Sequence, residues 1–191
     1  AQPDVVRVGA GTVFNEEAEA DYRLNGKNVV LFGGDADFVN VNRAAPFAGT
    51  YPQKENEVLL GKNAARVLGV GASDTVTLTL PDGTGKTLTV TGIGGIDESY
   101  YSGQYFLMDA YLPLEVFDAL LKEQGETVPQ TRYYLEYTSA AKAAKALPEL
   151  RSQYGEDAVS ENLNVMGAAG QSSNTAFQTV YGMAAGLFVL V

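Results

Sequence analysis

Two neighbouring segments in the middle of the chain alternate threonine with aliphatic residues. Residues 75–80 read TVTLTL and residues 87–91 read TLTVT, and the turn-forming residues 81–85 (PDGTG) lie between them. Strict alternation over five or six positions is typical of a strand that buries one face. The pattern therefore predicts a β-hairpin whose aliphatic residues point toward the core.

Shorter patterns on both sides of this hairpin predict the elements that pack with it. Residues 57–60 (EVLL) read as a strand that leads into a short helix at residues 63–68. Gly69 is placed to end that helix, because glycine adopts the left-handed conformation at low cost. A second helix is predicted at residues 113–124, where apolar residues recur at helical spacing and Gly125 follows the last turn. These elements make a small α/β unit.

The two ends of the chain contribute a second unit. A helix capped by Ser139 runs toward Gly155, and we expect Pro148 to kink or restart it. Because this helix lies between two of the predicted strands, it forms a βαβ-like unit with them. The strands of this unit are predicted at residues 5–8, 28–32, 132–137 and 158–160.

An uncharged, apolar segment ends the sequence. Residues 176–191 read AFQTVYGMAAGLFVLV, and the last charged residue is Glu161. The segment is shorter than the roughly 20 residues that cross a bilayer as a helix, so it is either a buried C-terminal helix or the first part of a transmembrane helix. The lack of a polar face and the small residues Gly182 and Gly186, which are candidate positions for helix packing, favour the transmembrane helix.

The residue types that are missing exclude several kinds of site. The 191 residues include neither His nor Cys, which excludes a Ser-His-Asp triad, a thiolate nucleophile, a disulfide and a His- or Cys-ligated metal. Segments 85–87, 9–14 and 35–40 only begin or end like a P-loop, a dinucleotide fingerprint and a calcium loop, so we expect no metal and no cofactor. The 23 acidic and 13 basic residues give a net charge of −10, which argues against nucleic acid as a partner.

Carboxylates are the main groups left for acid–base catalysis. A pair of carboxylates at the correct separation would suit a secreted hydrolase, although most acidic side chains in so acidic a chain are expected to lie solvated on the surface. The carboxylates that an enzyme would use are Asp35, Asp37, Asp97 and Glu98.

An aromatic segment is the candidate contact surface for a partner. Residues 99–106 (SYYSGQYF) combine tyrosines with Gly and Ser, and exposed tyrosine adds apolar contact area at little entropic cost. Tyr100, Tyr101 and Tyr105 are therefore candidate partner-contact residues. The simpler alternative is that part of this segment is a strand edge that packs on the core.

Five segments, in order and spacing, resemble the extracytoplasmic core domain of ABC transporter permeases of the MacB/FtsX type. Thr50 stands where that family usually has Arg, and Ser73 stands where it usually has Gly. The resemblance covers residues 47–95 best. Its segments are GTYP at 49–52, ENEVLL at 55–60, AARVLGV at 64–70, DTVTL at 74–78 and TVTGI at 89–93.

The resemblance implies an α+β fold, with mixed α/β structure in two subdomains. Residues 1–50 and 131–170 would form a porter-like subdomain with a βαβ unit. Residues 51–130 would form an inserted small α/β subdomain that contains the hairpin. Residues 171–191 would be a stalk and the start of a transmembrane helix, so that a C-terminal helix leads into the membrane.

The resemblance also implies a function on the extracytoplasmic face of the cell membrane. The domain would contact an exported substrate or a partner protein and would couple ATP-driven motion of membrane helices to it, without catalytic residues of its own. The implied partners are a cytoplasmic ABC ATPase, a second permease copy, the membrane, and a peptide, lipoprotein or extracellular protein. The alternatives are a cell-division-type signalling permease that activates a cell-wall hydrolase, a secreted carboxylate-dependent hydrolase, and a surface-anchored binding module.

Overall fold

A computed structural model describes residues 4–14, 22–42, 45–95, 108–161 and 186–190, which contain twelve strands and four α-helices. The helices are α1 (Ala36–Val41), α2 (Lys62–Leu68), α3 (Leu114–Glu123) and α4 (Ala140–Tyr154). The strands are β1 (Val5–Phe14), β2 (Arg23–Leu24), β3 (Lys27–Asn28), β4 (Val30–Gly34), β5 (Ala48–Gly49), β6 (Glu57–Gly61), β7 (Thr75–Thr79), β8 (Gly85–Gly94), β9 (Asp109–Pro113), β10 (Arg132–Tyr137), β11 (Val159–Glu161) and β12 (Gly186–Leu190).

All of these strands belong to one mixed sheet. Its order is β11-β12-β10-β1-β4-β9-β6-β8-β7-β2-β3, and β5 pairs with β8 beside this path. The pairs β4–β9 and β6–β8 are parallel, whereas the other pairs are antiparallel. A mixed sheet with helices confirms the predicted mixed α/β fold class.

Helices α1 and α3 pack on opposite faces of this sheet. Along β4, Val30 and Phe32 belong to the same buried cluster as Phe38 of α1. Leu31, which lies between them, belongs to the cluster that contains Phe117 of α3. Because successive side chains of a strand point to opposite faces, β4 has a hydrophobic core on each side.

Two adjacent glycines at the end of β4 allow both helices to approach closely. A side chain at Gly33 would collide with the ring of Phe117, and a side chain at Gly34 would collide with the ring of Phe38. Both positions therefore need glycine for space, and the aromatic rings pack directly on the strand backbone.

The predicted hairpin is confirmed as β7 and β8. Thr75 pairs with Thr89 and Thr79 pairs with Gly85. Val76, Leu78 and Leu80 are buried, while Thr75 and Thr77 are exposed, as the alternation predicts. The helices on either side are also confirmed: α2 ends at Gly69, which has a φ of 67°, and α3 starts after Pro113.

The predicted βαβ unit is present, with one strand inserted. β10, α4 and β11 follow one another in the chain, and both strands are antiparallel to β12, which lies between them. The Ser139 side chain accepts a hydrogen bond from Lys142 N and caps α4. The expected restart at Pro148 is wrong, because α4 is continuous through this residue. Pro148 and Ala144 both face solvent, so water can replace the lost backbone hydrogen bond.

The apolar C-terminal segment differs from the prediction. Gly186–Leu190 is a strand, so the prediction of a helix is wrong for these residues, and Gly186 does not lie on a helix. Gly186 pairs with Glu136, and Leu190 pairs with Arg132. A short apolar run fits a strand in the interior of a sheet as well as it fits a buried helix, and periodicity cannot separate the two.

The sheet passes through both of the predicted subdomains. β4 of residues 1–50 and β9 of residues 51–130 are hydrogen-bonded neighbours along their whole length. β2 and β3 lie at the far edge beyond β7. The division of the chain into a porter-like and an inserted subdomain stays a prediction.

Candidate functional site

The parallel strands β4 and β9 make one edge of the sheet a natural place for a ligand. β4 continues through Asp35 into α1 on one face, and β9 continues into α3 on the other face. When neighbouring parallel strands send their helices to opposite faces, a crevice opens outside the carboxyl ends of the strands. Open α/β sheets commonly bind their ligands in this crevice.

Asp35 uses its carboxylate to fix the start of α1 at this edge. Oδ1 accepts a hydrogen bond from Phe38 N at 2.6 Å, and Oδ2 accepts one from Ala10 N at 3.1 Å. The first contact caps the helix, and the second joins the helix start to β1. The sequence makes Asp35 a candidate catalytic carboxylate, whereas its contacts in the structure are those of a helix cap.

Asp37 is also engaged by its neighbours. Its carboxylate lies 3.4 Å from Arg7 Nε, and Arg7 Nη1 lies 3.1 Å from Glu136 Oε2. Arg7 therefore joins β1 to α1 and β10 through two partly exposed ion pairs. The other two candidate carboxylates, Asp97 and Glu98, lie outside the described residues.

The side chain of Tyr51 fills the crevice between the two strand ends. Its hydroxyl lies 2.6 Å from the carbonyl oxygen of Gly34 and 3.1 Å from that of Leu112, so it donates its hydrogen between the last carbonyl of β4 and the penultimate carbonyl of β9. Tyr51 is only 8% exposed. Its pKa is raised above the ordinary value, chiefly by burial and also by the charge of Asp35, so the hydroxyl keeps the proton that it donates.

Glu57 fixes the loop that follows Tyr51. Its Oε2 accepts hydrogen bonds from Gln53 N at 2.8 Å and from Lys54 N at 3.2 Å. Lys54 Nζ also lies 3.3 Å from Glu57 Oε1. The Gln53 backbone contact, followed by the contacts with Lys54, lowers the pKa of Glu57. The loop is therefore held at one end by Tyr51 and at the other by Glu57, which places Glu55 at the surface.

An open groove lies on the α3 side of the same edge. Its volume is about 570 Å³, and it runs between α3, the hairpin of β7 and β8, and the loop before β6. Val116 and Ala119 of α3 form one wall. The floor consists of buried leucines, of which Leu112 also contributes its carbonyl to the Tyr51 contact. These leucines are Leu78, Leu88, Leu112 and Leu120.

The rim of this groove is mainly acidic. Glu55, Glu115 and Glu123 supply three carboxylates, and Lys86 supplies one ammonium group. Lys86 Nζ lies 2.6 Å from Glu123 Oε2. Glu55 and Glu115 form no ion pair with any residue that the structure describes. Two carboxylates therefore face the groove without a neutralising partner from the described chain.

A small apolar patch lies on another part of the sheet. Val6 and Val8 of β1 are 58% and 46% exposed, and Tyr133 of the neighbouring strand β10 is 40% exposed. Val8 lies on the face of the sheet opposite α1. Single exposed apolar side chains are common on protein surfaces, so this patch does not by itself identify a binding site.

The sequence-based site residues fall mostly outside the described parts of the chain. Tyr100, Tyr101, Tyr105 and Gly182 lie in undescribed segments. Tyr51 and the groove were missed as sites, although Tyr51 belongs to the GTYP segment that carries the family resemblance. Within the described residues, no group of three or more Asp or Glu side chains is arranged to hold a metal ion. None of the described helices is long and apolar enough to span a bilayer.

Comparison with known proteins identifies relatives of this fold. The sequence model of the MacB-like periplasmic core domain matches residues 1–153. The extracellular domain of the noncanonic ABC-type transporter YknZ from Gram-positive bacteria is similar, with 15% identity and a TM-score of 0.50 over 80% of this chain and 78% of that one. The periplasmic region of MacB from Actinobacillus actinomycetemcomitans is 14% identical, with a TM-score of 0.52 over 81% and 70%. Among curated proteins, none matches this sequence.

Proposed function

Since the chain belongs to the family of MacB-like periplasmic core domains, we propose that it transmits movement and makes contacts for an ABC transporter permease. The domain lies on the extracytoplasmic face of the membrane. There it contacts an exported substrate or a partner protein and couples to it the motion that ATP drives in the membrane helices. A cytoplasmic ABC ATPase supplies that energy, and a second permease copy completes the dimer.

The closed crevice is the observation that carries this proposal beyond the family match. An α/β enzyme needs its crevice open for substrate, whereas here Tyr51 fills it and bonds to both strand ends. The described carboxylates beside it, Asp35 and Asp37, are engaged in a helix cap and an ion pair. We therefore assign the domain a role in contact and force transmission, with no catalytic role.

The position of β1 suits the transmission of force. This strand lies inside the sheet, where residues 5–11 pair with β10 and residues 11–14 pair with β4. A displacement of the chain at β1 therefore acts directly on two neighbouring strands. Because packed elements move as units, the whole sheet would follow.

Pulsed electron paramagnetic resonance on the full-length permease, assembled with its ATPase in a bilayer, tests the coupling. The chain has no Cys, so Lys145→Cys on the exposed face of α4 gives one spin label in each copy of this domain. We expect ATP to change the distance between the two labels. Flexible Gly/Ser insertions at both ends of the domain, between Pro3 and Asp4 before β1 and directly after Val191 beyond β12, should abolish the change.

The matched control is the same insertion at Gly125, in the exposed turn after α3, which should leave the ATP-dependent change intact. A parent permease whose label distance does not respond to ATP would contradict the proposal. An unchanged response after the insertions at both ends of the domain would contradict it too.

A further inference from the structure

We propose that the groove between α3 and the hairpin binds a basic segment of a partner polypeptide in which Lys or Arg alternates with apolar residues. This inference rests on the proposed function, because it names the chemistry of the partner that the extracytoplasmic domain contacts. The groove combines an apolar wall and floor with an acidic rim, and both features select the same kind of segment.

The apolar side chains of such a segment, and the methylene groups of its Lys and Arg residues, pack on the apolar surface of the groove. Val116 is half-buried and Ala119 is exposed, and the leucine floor lies behind them. Lys and Arg side chains lay their methylene stems along apolar surface while the charged head stays at the rim. A groove that bound only charge would not need this wall.

The carboxylates of the rim receive the charged heads. Glu55 comes from the loop before β6 and Glu115 from the first turn of α3, so the two lie on different walls. Since neither is neutralised within the described residues, an incoming cation gains an ion pair without breaking one. Arg is the better fit, because its guanidinium group binds a carboxylate through two hydrogen bonds.

Glu123 is a third carboxylate that a basic residue of the partner can bind, once that residue has displaced Lys86. Its partner Lys86 and Glu123 itself are both substantially exposed, at 39% and 58% of their side-chain surface. Exposed ion pairs of this kind stabilise a protein very little. A basic residue of the partner can therefore replace Lys86 at Glu123 at small cost.

The charge of the chain excludes the main competing occupants. A second copy carries the same net charge of −10, and it would bring like charge toward the acidic rim. Anionic lipid surfaces and nucleic acids are repelled for the same reason. A small ligand is a poor fit, because such ligands usually bury most of their surface and this groove is open.

Fluorescence anisotropy with the 191-residue chain tests the proposal. The probe is a short fluorescein-labelled peptide in which Lys and Leu alternate, and the comparison probe has Glu in place of each Lys. We expect the basic probe to bind, with an affinity that falls as salt is added, and the acidic probe not to bind. The double variant Glu55→Lys/Glu115→Lys should weaken binding of the basic probe by about tenfold or more.

The matched control changes the net charge equally at a distant surface. Glu149→Lys/Asp157→Lys alters two exposed carboxylates, one in α4 and one in the turn that follows it, and should weaken binding by less than about twofold. If the circular dichroism spectrum shows that the charge-reversed groove variant is unfolded, Glu55→Gln/Glu115→Gln is used in its place. This neutral variant should also weaken binding of the basic probe. A variant of this pair that folds and binds the probe as tightly as the parent overturns the proposal.

Three further outcomes overturn it: no binding of the basic probe, equal binding of the acidic probe, or equal losses in the groove and control variants. The last of these would mean that the probe responds to overall charge. None of these results bears on the ATP-dependent movement of the permease, so the proposed function would stand or fall on its own experiment.

Discussion

Two depressions lie at the same edge of the sheet, and Leu112 borders both. In the crevice between β4 and β9, the hydroxyl of Tyr51 satisfies the strand ends and the ring occupies the space. In the groove beside α3, about 570 Å³ stays open and the rim carries two carboxylates that no described residue neutralises. The first depression is filled by a side chain of the protein itself, whereas the second stays open and can bind a partner.

This difference separates what the fold needs from what a partner needs. Tyr51 joins segments far apart in the sequence, so its contacts belong to the stability of the sheet. The exposed residues of the groove, which are the rim glutamates and Ala119, lie outside the core, so their side chains can change without disturbing it. Substitutions in the crevice should therefore change stability, whereas substitutions of these exposed groove residues should change binding.

Tyr51→Ala should have the largest effect. It removes a buried ring and the hydroxyl contacts with Gly34 and Leu112, and it leaves a cavity at the end of β4. We expect a loss of about 3–5 kcal/mol in the free energy of unfolding, measured by urea denaturation. A loss below about 1 kcal/mol would show that the crevice is not a structural centre.

Tyr51→Phe removes the hydroxyl and keeps the ring, so it measures the contribution of the hydroxyl to stability separately from that of the ring. The ring still fills the crevice, but the carbonyls of Gly34 and Leu112 lose their donor in a buried place. The same denaturation experiment should show a loss of about 1–3 kcal/mol, smaller than for Tyr51→Ala. An equal loss in the two variants would mean that the hydroxyl, and not the filling of the crevice, accounts for the stability.

Glu57→Gln should change how stability depends on pH. The pKa of Glu57 is lowered from 4.5 by the Gln53 and Lys54 contacts, so its ionised form favours the folded state. This contribution is present above the ordinary pKa and is lost as the pH falls through the lowered value. The parent should therefore lose more stability than Glu57→Gln between neutral and acid pH. Parallel pH profiles would contradict this assignment.

Ala119→Arg should have the smallest effect on stability. Ala119 is exposed on α3, Arg is a good helix former, and Glu115 lies one turn earlier, where it can pair with the new guanidinium group. We expect the unfolding free energy to change by less than about 0.5 kcal/mol. The long cationic side chain should nevertheless occupy the groove and abolish binding of the Lys–Leu peptide. Retained binding in a folded variant would contradict the position of the site.

The parts of the fold that depend on local pattern could be predicted from the sequence. The buried face of the hairpin is predicted by the spacing of Val76, Leu78 and Leu80, and the ends of two helices are predicted by Gly69 and Gly125. The family resemblance rests on this same region. These signals are local, because each depends on residues a few positions apart.

The parts that depend on distant contacts could not be predicted. Tyr51 contacts residues 17 and 61 positions away, and no spacing in the sequence indicates those partners. The groove arises only where α3 meets the hairpin. The prediction for the C-terminal segment failed for another reason. Gly186–Leu190 is short and apolar throughout, so its pattern fits a strand and a helix equally.

Nuclear magnetic resonance on the ¹⁵N-labelled chain compares the two depressions in one experiment. The unlabelled Lys–Leu peptide is added in steps, and the backbone amide shifts are followed residue by residue. The account predicts the largest changes at Thr87, Val116 and Ala119, which line the groove, and none at Gly34 and Asp35, which border the closed crevice. Changes concentrated at Gly34 and Asp35, with Val116 and Ala119 unmoved, would contradict it.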